Sequence, residues 1–147
     1  NNYGPGMTLN DKRVVSDFFQ NILSKENITL FSDGKATRTF CYVADAVNGY
    51  LLVLLSKFDG EVFNVGNPNP EINIIELAKR IIQITKSDAK IIKKKHIDSE
   101  YLIDNPSRRC PDINKISNLL NFKPLISLDD GLIKSYKFYL ALNKVTS

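Results

Sequence analysis

The sequence predicts an α/β fold, and three observations predict it. Between residues 28 and 43 apolar and polar residues alternate with a period of two, and from Ala44 onward the apolar spacing becomes helical. Short strand-like runs alternate with helix-like runs along the rest of the chain. Asn, Asp and Ser stand just ahead of the helical runs, where their side chains can cap free backbone N–H groups.

The elements follow in order. Asn1-Asn-Tyr-Gly-Pro-Gly-Met7 is a turn rich in Gly and Pro, and it reads as mid-chain material that an upstream part would precede. Asn10 or Asp11 is expected to cap a helix ending near Lys25, with Val14, Val15, Phe18, Phe19, Ile22 and Leu23 as its apolar face. Residues 28–43 are expected to fold as a two-stranded ribbon around Ser32-Asp33-Gly34. The following helix carries Val43, Ala46, Val47, Tyr50, Leu51, Val53, Leu54 and Leu55, so many apolar positions that near enclosure is expected.

Val62-Phe-Asn-Val65 reads as a brief strand that Gly66-Asn67-Pro68-Asn69-Pro70 ends. Asn73 should cap a helix in reciprocity with Glu76, and residues 89–95 should form a strand around Ile91 and Ile92. From His96 to Pro106 no period holds. Asp112 should cap a short helix, and Ser127 should start a last one reaching about Leu140, with residues 143–147 frayed. Residues 1–142 therefore form the working unit.

Composition excludes several classes. The chain has 147 residues, of which 43% are hydrophobic, with a net charge of +4, which suits a packed core and argues against global disorder. No apolar run approaches the roughly 18 residues a membrane span requires, so no membrane partner is expected. Cys41 and Cys110 have no metal-binding spacing and read as free thiols in a reducing, cytoplasmic setting. The pI of about 9.0 owes much to Lys90, Lys93, Lys94 and Lys95, which suit a solvated strand edge. No aromatic-basic platform is present, so nucleic acid is not an expected partner.

Three separated segments offer anion-binding chemistry: the Asn1/Asn2 turn, Arg38 in the second ribbon arm, and Arg108/Arg109 between two prolines. A guanidinium can engage two phosphate oxygens at once, and flanking prolines lower the cost of ordering a loop around a ligand. Surface ion pairing is the alternative use of the same residues, and spacing alone leaves both open. With His96 as the single histidine and no Gly-x-Ser-x-Gly elbow, no nucleophilic triad can be assembled. Asp33, Asp45, Asp104 and Asp112 sit at turn, cap or helix-start positions where carboxylates are structurally common. Phe31, Phe40 and Tyr42 read first as sheet-face residues, with Phe31 the one placed to border a flat base.

Six segments carry a further signal: Asn1-Asn-Tyr-Gly-Pro5, Arg13-Val-Val-Ser-Asp-Phe18, Ile28-Thr-Leu-Phe-Ser-Asp-Gly34, Thr37-Arg-Thr-Phe-Cys-Tyr-Val43 with Asp45, Phe63-Asn-Val-Gly-Asn-Pro68, and Asn105-Pro-Ser-Arg-Arg-Cys-Pro-Asp112. In this order they resemble the C-terminal part of extended short-chain dehydrogenase/reductases acting on nucleotide sugars. These form the NAD-dependent epimerase/dehydratase family, and the resemblance is closest to UDP-glucuronate decarboxylases and dTDP-glucose 4,6-dehydratases.

The resemblance implies a C-terminal, substrate-binding portion of an extended Rossmann-type enzyme that lacks its N-terminal NAD-binding domain. It implies that Asn1 meets the nucleotide-sugar phosphates, that Arg38 and Arg109 hold the diphosphate, and that Val14 and Phe18 line the base pocket. Phe31 stands where a tyrosine is usual beside the base, while Asp45 and Asn64 match positions of structural character. No catalytic residue is expected here, because the glycine-rich loop and the Tyr-x-x-x-Lys pair of the family are not in this sequence. NAD would serve the parent enzyme without binding this chain tightly alone. The implied partners are a UDP- or dTDP-sugar, the N-terminal Rossmann domain, and a second copy in a homodimer. The contrasting reading is a non-catalytic, stand-alone binding or structural module.

Overall fold

The computed structural model describes residues 1–9, 11–94 and 106–145. Expectations for Asn10, Lys95, the loop over residues 96–105, and residues 146–147 lie outside them. The element order is β1 (Asn2–Tyr3), α1 (Val14–Leu23), β2 (Ile28–Leu30), β3 (Thr37–Arg38), β4 (Cys41–Tyr42), α2 (Val43–Leu54), β5 (Ile72–Asn73), α3 (Ile74–Thr85), β6 (Ile91–Lys93), β7 (Arg108–Arg109), α4 (Asn114–Leu120) and α5 (Leu128–Val145). The α/β alternation is present. The last helix runs on to Val145, into the stretch expected to fray.

Parallel pairing dominates the strands. β1 pairs with β4, β2 pairs with β6, and β3 lies between antiparallel β5 and parallel β7. The expected two-stranded ribbon does not form: its arms, β2 and β3–β4, find partners far away in sequence. The turn between them explains why. Gly34 N–H donates to Ser32 Oγ and Lys35 N–H donates to Asp33 Oδ1, so side chains close two local turns. Gly34 adopts φ +73°, and a Cβ there would strike Ile75, so the turn is pressed against the start of α3. Chain direction is set by that contact and the arms diverge.

The core lies where α1, α3 and α5 meet. Phe19, Leu77, Ile81, Leu132 and Tyr139 are all buried there, and Phe19 stacks on Tyr136 with ring centroids 6.0 Å apart. The caps hold largely as expected. Glu76 N–H donates to Asn73 Oδ1 at 2.8 Å, and Ser127 Oγ accepts from Asp130 N–H while donating to Asp130 Oδ2. At α1 the cap differs: Arg13 takes the position without a side-chain bond, and Asp11 pairs with the Arg13 guanidinium instead. At α4 the cap position is Ile113, without a side-chain bond, and the expected cap residue Asp112 instead accepts from Asn114 N–H in the turn ahead of the helix.

Two further expectations are corrected. Residues 61–65 form no strand, and Val62 is 80% exposed; Asn64 instead donates its side-chain amide to the Asp112 carbonyl. Helix α2 is not enclosed by the described residues. Asp45, Ala46 and Gly49 are buried, whereas Tyr50, Leu51 and Leu54 are exposed. Apolar density measures how much of a helix could be covered, and it does not name the element that covers it.

Asp45 is buried because it closes a long-range joint. Its two carboxylate oxygens accept from Leu125 N–H and Ile126 N–H at 3.0 and 2.9 Å, which ties α2 to the approach of α5. Asp45→Asn removes one acceptor and the charge, so unfolding free energy measured in urea should fall by about 1–3 kcal/mol. An unchanged urea midpoint would remove this joint from the account.

Candidate functional site

Between β1, α1, β2, β3 and β7 lies a cavity of about 670 Å³. All six residues expected to bind substrate line it: Asn1, Val14, Phe18, Phe31, Arg38 and Arg109. Each arrives by a different route. Val14 and Phe18 are four residues apart on α1 and share one helix face. Arg38 and Arg109 are direct partners in the parallel register of β3 and β7, so they stand side by side on one face of the small sheet. Asn1 precedes β1, donates its side-chain amide to the Thr39 carbonyl at 3.1 Å, and accepts from Cys41 N–H. Phe31 follows β2 and is 47% exposed, as a residue at a cavity edge would be.

The two arginines have different surroundings. Arg38 is buried and donates through Nη1 to the Thr37 carbonyl at 2.7 Å, which fixes its direction. Arg109 is exposed at the cavity edge. Two guanidinium groups in register on adjacent strands set up a positive potential that favours an anion.

Sequence reading missed part of the wall. Asp17 and Asn21 line the cavity beside Val14 and Phe18, and the helical spacing 14, 17, 18, 21 was a signal for both. Burial, with Asp11 nearby, raises the Asp17 carboxyl above its ordinary value. Arg13 also reaches the cavity, held by Asp11, and its sequence signal was its place at the head of the segment Arg13-Val-Val-Ser-Asp-Phe18. Phe40 is buried and also lines the cavity, whereas Tyr42 is a buried core residue away from it. Among the described residues no group of His, Cys, Asp and Glu could hold a metal ion, and no helix is long and apolar enough to cross a membrane.

With this geometry in view, the comparisons are specific. Residues 1–66 match the NAD dependent epimerase/dehydratase family. UDP-glucuronic acid decarboxylase 4 of Arabidopsis thaliana is 39% identical over 132 residues, covering 90% of this chain and 28% of that protein. UDP-glucose 4-epimerase of Thermotoga maritima, solved with UDP-glucose, superposes with a TM-score of 0.87 at 28% identity, over 97% of this chain and 44% of that one. UDP-glucuronic acid 4-epimerase of Bacillus cereus, solved with UDP-glucuronic acid and NAD, gives a TM-score of 0.83 at 28% identity, over 97% and 43%. The chain thus spans between about a quarter and a half of the length of these relatives.

The family match corrects the division expected from sequence. That expectation set the chain apart as a C-terminal portion lacking the N-terminal NAD-binding domain, with that Rossmann domain as a missing partner. The matched stretch runs from β1 through α2 to Gly66, so these residues lie inside the region that the epimerase/dehydratase family describes. The physical reason is visible in β4 and α2: a strand running directly into a helix, with β1 parallel beside it, is the unit of which Rossmann-type folds are made. Absence of the glycine-rich loop and of the Tyr-x-x-x-Lys pair was a weaker guide than this arrangement. The direct strand-to-helix junctions Tyr42-Val43 and Asn73-Ile74 carry no glycine, whereas Gly4 and Gly6 lie in the connection from β1 to α1.

Cys41 adjoins the site without being a reagent. It is buried in β4, and burial, followed by the charge of Asp45, pushes its thiol up to about 11. The folded state favours the protonated thiol, so stability is intact below the ordinary value of 9.0 and falls as pH rises toward about 11. At pH 8, iodoacetamide should modify the partly exposed Cys110 first and Cys41 only on unfolding, as read by peptide mass mapping. Equal labelling of both would contradict the burial.

Proposed function

We propose that this chain binds the nucleoside diphosphate part of a UDP- or dTDP-sugar in the cavity between α1 and the β3–β7 pair. It does so as part of an NAD-dependent nucleotide-sugar decarboxylase, dehydratase or epimerase. The observation that carries the reading is the register of Arg38 with Arg109 on one wall of a cavity that Val14 and Phe18 also line.

The parts divide the ligand between them. The diphosphate lies across Arg38 and Arg109, each able to donate two parallel charge-assisted hydrogen bonds, and the Asn1 side chain borders the same region. Val14 and Phe18 offer the apolar wall for a flat base, and Phe31 borders it at the open side. The cavity volume falls within the roughly 300–1,000 Å³ usual for small-molecule sites. Phe31 brings no hydroxyl to the base, so discrimination between uracil and thymine falls to shape and to other polar groups. These residues hold and orient, and in the holoenzyme NAD supplies hydride transfer. The names of the relatives, UDP-sugar decarboxylases and epimerases, support the same substrate class.

Arg109→Ala should weaken UDP binding at low salt by roughly tenfold or more, the loss of one charge-assisted interaction, while leaving uridine affinity unchanged. Titration calorimetry on both proteins reads this directly. Equal UDP affinity in the two would overturn the assignment of Arg109.

A further inference from the structure

β7 is a strand of two residues, and its two arginines point to opposite faces of the sheet, as strand geometry requires. Arg109 shares the cavity face with Arg38, while Arg108 pairs with Thr37 on the reverse face. On that reverse face Glu71 gathers four hydrogen bonds. Arg108 donates to it through Nε, at 2.9 and 3.1 Å to the two carboxylate oxygens, and through Nη2 at 2.8 Å, and Thr37 Oγ1 donates to the same carboxylate at 2.5 Å. Glu71 directly precedes β5, whose register sets Asn73 opposite Thr37 and Ile72 opposite Arg38. One carboxylate therefore ties together three strands that come from three distant parts of the chain.

We infer that Glu71, with Thr37 and Arg108, is a positioning clamp that holds β7 in register so that Arg109 stands beside Arg38 at the anion site. This rests on the reading of that site as a diphosphate site. A strand of two residues has few backbone bonds of its own, and a shift by one residue would send Arg109 to the outer face and Arg108 to the cavity. The bidentate fork of Arg108 on Glu71 opposes that exchange, because it specifies which arginine faces out. Hydrogen bonding from Arg108, then from Thr37, holds the Glu71 carboxyl below its ordinary value, so the carboxylate is charged at neutral pH. The ion pair is solvent-exposed, with the Arg108 side chain 64% accessible, so it adds little to global stability. Its contribution is to direction.

The test compares Glu71→Gln, the charge reversal Glu71→Arg with Arg108→Glu, and Arg109→Ala against the unaltered chain, using UDP and uridine as probes in calorimetry and thermal unfolding as a check on folding. Glu71→Gln should weaken UDP binding by about three- to tenfold, with uridine affinity and the unfolding temperature unchanged. The charge reversal should recover most of that loss, which a purely local fault would not do. If Glu71→Gln binds UDP as well as the unaltered chain while Arg109→Ala does not, the clamp is overturned and the diphosphate site stands. If Arg109→Ala also binds UDP normally, the diphosphate reading falls and the clamp falls with it. A fall in uridine affinity or unfolding temperature matching the UDP loss would make Glu71 a general structural residue and overturn the clamp.

Discussion

The parallel pairing of β3 with β7 is the constraint on which the site depends. It sets Thr37 against Arg108 and Arg38 against Arg109, residues about seventy positions apart in sequence. Two cationic side chains are thereby placed in register on one face of a sheet, where their positive potential favours an anion. The rest of the fold serves this pairing. β5 flanks β3 on the other side, the Asn73 cap launches α3 from β5, and α3 packs on α1, whose face lines the cavity.

The same logic explains why acids in this chain are structural where they are described. Asp45 closes the joint to the backbone ahead of α5, Asp33 and Asp112 close turns, and Glu71 spans three strands. Each accepts N–H or O–H donors that would otherwise be left without fixed partners. None stands where two carboxylates could share acid and base work. Asp17 is the acid among the described residues of the cavity wall, raised by burial.

Local chemistry made the helices and caps legible in advance. Asn73, Ser127 and Asp112 act within a few residues of themselves, so sequence spacing suffices to see them. The strands were harder, because pairing partners lie far apart: the β2 and β3 arms looked like a ribbon and instead joined β6, β5 and β7. The exposed face of α2 and the irregular course of residues 61–65 escaped for the same reason, since apolarity does not name its neighbour. The six expected site residues do share one cavity, yet sequence reasoning reached that grouping through a family resemblance. Composition and spacing alone left Arg38 and Arg109 between anion binding and surface pairing. The division from an N-terminal NAD-binding domain was drawn from the family resemblance and two absent motifs, and the match over residues 1–66 redraws it.

A crystal structure of the chain with UDP tests the central claim most directly. The account predicts both phosphates within hydrogen-bonding distance of the Arg38 and Arg109 guanidinium groups, with the base against Val14 and Phe18. A nucleotide bound with its phosphates away from those two arginines would contradict it.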